Sequence, residues 1–254
     1  MQLYKGVKQG STIWKLLRKQ ACDFTSTSVP TIMGINPYES RTAFVRRLQK
    51  GEEKKFDEFA QQAMAHGQER EAEAFKVLNE EFLVPDYIGT YSPGLYTWKE
   101  DRRIGASPDA VFSNAQTKKE MGCVEIKCPF TGSWWHSFDP VQIFEKKPQY
   151  YIQAQLQLAC TDTHTCLFFI YCVNSEDDAC YVLIQITRDD ELLKYILDHC
   201  NKWREILMAE EIPVSVLRCT GDERREHFNQ LGSSVVNHTR LVANGIVKKP
   251  EETN

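Results

Sequence analysis

The sequence reads SPDAVF over residues 107–112 and VEIKCP over residues 124–129, and these two strand-like runs decide how the chain folds. Side chains point to alternate faces of a strand, so Glu125 and Lys127 share one face while the flanking valine and isoleucine share the other. The second run is too apolar for a strand at the protein surface. We therefore predict a buried strand on which a carboxylate and an ammonium group stand side by side.

A polar loop over residues 113–121 separates the two runs, and Asp109 and Glu125 lie symmetrically about its middle. In a simple hairpin Asp109 would stand opposite Glu125 on the same face, where two like charges destabilise a sheet. Mg²⁺ between them would remove that cost, because it prefers oxygen ligands, and Mn²⁺ could substitute. The backbone carbonyl of Ile126 is a further candidate ligand. Lys127 could position or deprotonate a water, or neutralise charge on a phosphate.

A third carboxylate comes from a predicted helix over about residues 53–83, in which Glu71 is the only charge on the inward apolar stripe. A lone glutamate there is costly unless it is paired or bound to a metal, which predicts a catalytic and metal-binding role. A later helix, over about 140–160, presents Gln153 and Gln157 at helical spacing, and we expect Gln153 to orient a water or bind the phosphate. The inward stripe of the helix predicted over about 53–83 consists of Met64, Gly67, Glu71, Ala74, Phe75, Leu78 and Phe82.

The predicted elements follow an irregular order, with helices first, several short strands next, and then helix, strand, strand and helix. This order favours a mixed α+β fold, in which a central mixed β-sheet is flanked by helices, over a regular βαβ array. We predict a first domain over residues 1–210, with its core at about 15–205. A C-terminal extension follows over 211–254, where the pattern weakens after Pro213. Pro148 is expected to mark either a break in the later helix or its true start.

Composition limits the possible functions. The net charge of −4 and the pI of about 5.9 argue against wide non-specific wrapping of DNA, so any DNA contact must use a focused basic patch.

No apolar run approaches the roughly 18 residues of a membrane span, and residues 1–10 lack the apolar core of a secretory signal. We therefore expect no membrane association and an intracellular, reducing compartment in which the nine cysteines remain thiols. Cys166, Cys172 and Cys180 are predicted to be small core residues.

Five motifs, taken in order, resemble the phage lambda exonuclease and YqaJ-like viral recombinase branch of the Pro-Asp…Glu-X-Lys nuclease superfamily. The resemblance spans about residues 15–205 and implies a restriction-endonuclease-like core. One departure is mild, because Ala110 stands where the family usually has glycine. The motifs correspond to the hydroxyl-containing turn and Gly-X-X-Pro-Tyr stretch of Thr25–Tyr38, the Gly-X-X-X-Glu of Gly67–Glu71, the Ser-Pro-Asp of Ser107–Asp109, the Glu-X-Lys-Cys-Pro of Glu125–Pro129, and the Tyr-Tyr-X-Gln-X-Gln of Tyr150–Gln155.

The resemblance implies Mg²⁺-dependent hydrolysis of double-stranded DNA ends in the 5′-to-3′ direction, with release of 5′-phosphates, in viral or phage-type recombination or repair. It also implies a homotrimer and a single-strand annealing protein as partner. Family members bind a terminal 5′ phosphate with the hydroxyl turn and a nearby basic residue. Here the hydroxyls are those of Thr27 and Ser28, and the basic residue is Arg18 or Lys19.

Several alternatives remain open at this stage. Thr27 and Ser28 could instead cap the helix that begins near Pro30, and Trp134 and Trp135 could stack on DNA or pack under a loop. Asp109, Glu125 and Lys127 could instead form a surface ion pair on an exposed strand. Glu71 could form a salt bridge on its helix face. For the whole chain, the alternatives are a structure-selective endonuclease on the same fold and a non-catalytic DNA-end-binding module. An iron–sulfur nuclease would need a cysteine cluster that the spacing does not supply.

Overall fold

The computed structural model describes residues 2–130, 139–173, 179–209 and 211–247. Within these ranges the strands form two sheets. In chain order they are β1 (Gln2–Lys5), β2 (Phe24–Thr25), β3 (Tyr87–Tyr91), β4 (Gly94–Thr97), β5 (Ile104–Ala106), β6 (Ala110–Asn114), β7 (Glu120–Lys127), β8 (Thr165–Val173), β9 (Ala179–Thr187) and β10 (Thr239–Val247). The helices are α1 (Thr12–Ala21), α2 (Val29–Ile32), α3 (Arg41–Lys50), α4 (Glu58–Leu78), α5 (Pro140–Lys146), α6 (Pro148–Thr161), α7 (Asp190–Met208), α8 (Val214–Leu217) and α9 (Gly221–His238).

The larger sheet has the strand order β10-β9-β8-β7-β6-β3, and the smaller sheet has the order β1-β4-β5-β2. In the larger sheet β7 and β8 run parallel, while the neighbouring pairs on either side run antiparallel. The connection between the two parallel strands contains α5 and α6, as a parallel crossover requires. The predicted mixed sheet is therefore confirmed.

Helices cover both faces of the larger sheet. On one face α6 packs Ile152 and Leu156 against Phe168 of β8 in the larger apolar cluster. On the other face α4 packs Ala74 and Leu78 in a second cluster, against β6, β7 and β8. Neighbouring residues of β7 alternate between the two clusters, as the strand period requires. The sheet thus lies between two helical layers, as predicted.

Local sequence explains where the helices begin. The predicted interruption at Pro148 is confirmed, because α5 ends at Lys146 and α6 begins at the proline itself. The prediction of a single helix over 53–83 is wrong at its start. The side chain of Asp57 accepts a hydrogen bond from the backbone N–H of Ala60 at 2.8 Å, which caps the helix and fixes its first turn.

The far end of that helix is also more complex than predicted, because a π-helical turn over Asn79–Leu83 follows α4. The inward stripe is correct from Ala74 onward, where Ala74 and Leu78 are buried. Met64, which belongs to the same predicted stripe, is 40% exposed because the first turns of α4 extend beyond the packed core.

The C-terminal residues complete the sheet. Strand β10 pairs antiparallel with β9 along most of its length, and Leu231 and Val235 of α9 join the larger apolar cluster. The region after Pro213, where the sequence pattern weakens, thus contains α8, α9 and β10 in its described part, residues 211–247. The division at residue 210 stays a prediction.

The predicted core cysteines Cys166, Cys172 and Cys180 are all buried. No helix in the described ranges combines the length and the apolar character that a membrane crossing requires.

Candidate active site

The hairpin of β6 and β7 brings the Asp109 and Glu125 motifs together with the register predicted from the sequence. Ala110 pairs with Val124, and the backbone N–H of Asp109 donates to the carbonyl of Val124 at 3.1 Å. The register shifts only farther along the hairpin, after Phe112. Asp109 lies immediately before β6, and its Oδ2 accepts a hydrogen bond of 2.7 Å from the backbone N–H of Ile126.

Glu125 is held on both of its oxygens and is 1% exposed. Its Oε1 accepts a hydrogen bond from Gln153 Nε2 at 2.6 Å and also pairs with the ammonium group of Lys127. Its Oε2 accepts from the amide of Gln157. The two glutamines are one helical turn apart on α6, so they face the same strand. The structure therefore brings Gln153 to the site, as predicted, although it contacts a carboxylate here.

Gln157 is a site residue to which the sequence analysis assigned no role. Its spacing of four residues from Gln153 was the available signal, because residues at i and i+4 share a helix face. By contrast, Gln155 of the same motif points elsewhere and holds the backbone at the end of β9 and the start of α7. One glutamine of the motif thus serves the site and the other supports the fold.

Lys127 is the cation of the cluster. Its Nζ lies 4.9 Å from the centre of the Tyr150 ring on α6, which the ammonium group faces. Burial alone would lower the pKa of Lys127, but the carboxylates of Glu125 and Asp109 together raise it above its usual range. The side chain is therefore an ammonium group at neutral pH, suited to neutralising negative charge.

Glu71 of α4 joins the group from the other side of the sheet end. Its Oε1 accepts a hydrogen bond of 2.8 Å from the hydroxyl of Tyr91, a partner that the sequence did not indicate. Burial raises the pKa of Glu71, and the charge of Glu125 raises it further. Burial likewise raises the pKa of Asp109 well above its usual value, with Glu125 and Glu71 as further causes. The three carboxylates thus repel one another.

This donor set fits a divalent cation. The charge of Glu125 acts on both Glu71 and Asp109, and this repulsion is the cost that a cation among the three carboxylates would relieve. Oxygen ligands of this kind match Mg²⁺ better than a soft metal. The residues that could hold the ion are Asp109, Glu125 and Glu71, and the carbonyl of Ile126 stays a predicted fourth ligand.

A second polar cluster lies on α1 and the turn after β2. Arg18 donates hydrogen bonds of 2.7 Å to the hydroxyls of Thr25 and Thr27. Ser28 Oγ accepts from the backbone N–H of Thr25 at 2.8 Å and makes no capping bond to α2. The arrangement brings Arg18 rather than Lys19 to Thr27, and it adds Thr25, which was not among the predicted contacts.

This second cluster is linked to the segment that carries Asp109. Trp14 lies one turn before Arg18 on α1, and the guanidinium carbon stands 4.9 Å from the centre of its ring. The indole Nε1 of Trp14 donates a hydrogen bond of 2.9 Å to Ser107 Oγ, two residues before Asp109. Trp134 and Trp135, the remaining predicted DNA contacts, lie outside the described residues.

Comparison with known proteins places the chain in a family. The model of the YqaJ-like viral recombinase domain matches residues 13–164, and the chain belongs to this family. Among solved structures, an alkaline exonuclease from Laribacter hongkongensis is 26% identical, with a TM-score of 0.58 over 79% of this chain and 94% of that one. The resemblance named above and the restriction-endonuclease-like fold are thus confirmed.

Two further solved structures are similar to this chain. The same Laribacter hongkongensis enzyme in complex with dAMP has a TM-score of 0.57 and 24% identity, covering 79% of this chain and 94% of that one. A phage-related exonuclease from Haemophilus somnus 129PT is 15% identical, with a TM-score of 0.49 over 85% of this chain and 99% of that one. Among curated proteins, none matches this sequence.

Proposed function

We propose that this member of the YqaJ-like viral recombinase family is a Mg²⁺-dependent deoxyribonuclease that digests double-stranded DNA ends from 5′ to 3′ and releases 5′-phosphates. The observation that carries the proposal is the buried Glu125, fixed by two glutamines and Lys127 beside the buried Asp109. The similar structure described as an alkaline exonuclease supports the same activity. We place the reaction in viral or phage-type recombination or repair.

Asp109, Glu125 and Glu71, with the Ile126 carbonyl, would hold Mg²⁺, and Mn²⁺ could replace it. When bound, the ion supplies an activated water for attack on phosphorus and stabilises charge on the leaving 3′ oxygen. The protein's own contribution is positional, because Gln153 and Gln157 keep the Glu125 carboxylate in one orientation.

Lys127 would stabilise the charge that develops on the scissile phosphate. The ammonium group of Lys127, paired with Glu125, would donate to a phosphate oxygen. In the complex with substrate, the ammonium group of Lys127 would have to contact both Glu125 and the phosphate at once. Gln153 donates to the same oxygen of Glu125 and would orient the attacking water.

The terminal 5′ phosphate would bind at the cluster of Arg18, Thr25 and Thr27. A guanidinium group with two hydroxyls offers several donors to one phosphate, and charge-assisted hydrogen bonds are the strong ones. The bond from Trp14 to Ser107 ties this cluster to the strand that carries Asp109. Arg18 supplies positive charge locally in a chain whose net charge is −4.

The test uses linear duplexes with 5′-phosphate or 5′-hydroxyl ends, each labelled on one 3′ end. With Mg²⁺ we expect the labelled strand to shorten from its 5′ end while it keeps its 3′ label. After chelation of the metal we expect no digestion. Glu125→Gln and Lys127→Ala should each lower the rate by at least about a hundredfold, the size of effect that loss of one preorganised electrostatic group produces. Arg18→Ala should remove the preference for a 5′ phosphate.

A covalently closed duplex of the same sequence serves as the matched control substrate. The proposal requires that closed circles stay intact, because they offer no end. Cleavage of circles at the rate of linear duplexes would establish an endonuclease instead. Binding of ends without any Mg²⁺-dependent product would establish a non-catalytic end-binding module.

A further inference from the structure

A cavity of about 210 Å³ lies between α7 and α9, on side chains that the candidate active site does not use. His199 comes from α7, and Glu223 and His227 come one helical turn apart from α9. One ligand atom from each of the three side chains lies within 4.8 Å of the other two. Two imidazoles and a carboxylate thus meet at the wall of a cavity.

His227 carries a nitrogen that lacks a partner. The residue is 1% exposed, and its Nδ1 lies 2.7 Å from the hydroxyl of Tyr195. None of the described residues gives its Nε2 a hydrogen bond, since Glu223 Oε1 stands 3.7 Å away, beyond hydrogen-bond distance. A buried polar atom without a partner is costly, and a cation on Nε2 would remove that cost.

The other two side chains are fixed in orientation. His199 Nε2 lies 3.3 Å from the carbonyl of Ile32, which can only accept, so Nε2 carries the proton and Nδ1 is the unprotonated nitrogen of the neutral ring. Histidines that bind metals are commonly held in this way through the second nitrogen.

Both oxygens of Glu223 accept from Arg41, at 3.0 and 2.7 Å. The Arg41 guanidinium and Lys202 weaken the attraction of the site for a cation, whereas Asp198 and Glu226, which also line the cavity, offset their charge. Carboxylate oxygens have lone pairs for a metal in addition to the arginine, and hydrogen-bonded carboxylate ligands are usual at metal sites.

We propose that His199, Glu223 and His227 form a Zn²⁺ site that joins α7 to α9. Two histidines and one glutamate are the protein ligands of zinc sites in which water fills the fourth position, whereas Mg²⁺ prefers oxygen ligands alone. Both α7 and α9 lie beyond the residues 13–164 that the family model matches. The proposal is independent of the nuclease activity proposed above.

The test is calorimetric titration of Zn²⁺ into the metal-stripped full chain, with a reductant that does not bind metal and excess Mg²⁺ to occupy the carboxylate site. We expect one tight Zn²⁺ site per chain and a higher midpoint of thermal unfolding with Zn²⁺. His199→Asn should weaken binding by about tenfold or more and abolish the shift of the midpoint. His164→Asn, which changes an exposed histidine elsewhere, is the matched control.

Equal Zn²⁺ affinity in His199→Asn and the unmodified chain would overturn the proposal, and so would absence of tight binding in the unmodified chain. Should His199→Asn fail to fold, a crystal of the unmodified chain with Zn²⁺ decides. An anomalous difference peak among the three side chains supports the site, and its absence there refutes it. Mg²⁺-dependent digestion by His199→Asn should equal that of the unmodified chain, which separates this result from a failure of the proposed nuclease.

Discussion

At the residue scale, Gln157 makes a contact whose loss should be visible in catalysis. Its amide holds one oxygen of the buried Glu125, and Gln153 holds the other. Gln157→Ala would leave that oxygen without this donor, so the carboxylate would lose its fixed orientation. We expect a 10- to 100-fold weaker apparent affinity for Mg²⁺, a typical effect of removing a group behind a metal ligand, with a smaller change in KM for DNA.

The measurement is the digestion rate as a function of Mg²⁺ concentration. Two further variants are compared with it. Gln157→Glu keeps the size of the side chain but adds negative charge, and Gln116→Ala is the control because it alters an exposed loop. Gln157→Ala with an unchanged Mg²⁺ dependence would show that Gln153 alone positions Glu125. An equal loss in Gln116→Ala would show that the effect is not specific to the site.

The relative arrangement of Asp109, Glu125 and Lys127 can be predicted from the sequence because local geometry determines it. Strand alternation places Glu125 and Lys127 on one face, and the hairpin places Asp109 beside them. Contacts between distant segments are a different matter. The bond from Tyr91 to Glu71 depends on where β3 meets α4, and no periodicity encodes that meeting. The hydrogen bond from Arg18 to Thr25 likewise depends on how α1 packs against the turn after β2, which no local pattern of the sequence encodes.

At the scale of elements, Asp189 controls the start of α7. Its Oδ1 accepts hydrogen bonds of 3.0 Å from the backbone N–H groups of Glu191 and Leu192, the usual arrangement of an N-cap. Asp189→Ala should lower the free energy of unfolding by about 1 kcal/mol, whereas Asp189→Asn should lose less because asparagine also caps helices. Urea denaturation of the three chains at neutral pH measures both differences.

The same residue gives a pH dependence. Burial alone would raise the pKa of Asp189, but hydrogen bonds from Ser234 and Leu192 lower it below its usual value. A carboxyl with a lowered pKa stabilises the fold above the pKa of the unfolded chain, and the contribution is lost as pH falls through the folded value. The stability difference between the unmodified chain and Asp189→Asn should therefore shrink on acidification from pH 7 toward about 3. A constant difference would contradict this assignment.

Element boundaries follow from the sequence only where a strong local signal exists. Pro148 marks the start of α6 correctly, whereas the start of α4 was missed because Asp57 acts as a cap within a charged stretch. Helix α9 shows why the C-terminal region was hard to interpret. Its buried residues are two polar and two apolar, so the helix lacks the apolar stripe that sequence analysis detects. They are His227, Leu231, Ser234 and Val235.

At the scale of the whole molecule, α9 and β10 are expected to be part of the folding unit. Removal of residues 211–254 would leave the edge of β9 unpaired, expose the core beneath Leu231 and Val235, and break the 2.8 Å hydrogen bond between Ser234 and Tyr151. We expect the truncated chain to aggregate or to unfold at a clearly lower temperature. A soluble fragment with the thermal midpoint of the full chain would instead support a separate domain over 1–210.

Assembly is the last property that belongs to the whole molecule. A ring-shaped homotrimer stays a prediction from the family resemblance. Such a ring would keep a chain with a net charge of −4 on DNA, since encirclement does not depend on wide electrostatic attraction. Light scattering should then give three times the 29.4 kDa mass of one chain. Digestion of a long labelled duplex should continue after excess unlabelled duplex is added.

The ring requires both a trimeric mass and digestion that continues after competitor DNA is added. A monomer that stops digesting as soon as competitor is added would contradict the ring, because each product release would free the enzyme. A trimer that stops in the same way would show assembly without encirclement. Raising the salt concentration distinguishes the retention mechanisms further: contacts to phosphates weaken steeply with salt, whereas a closed ring already on DNA should keep digesting the same molecule.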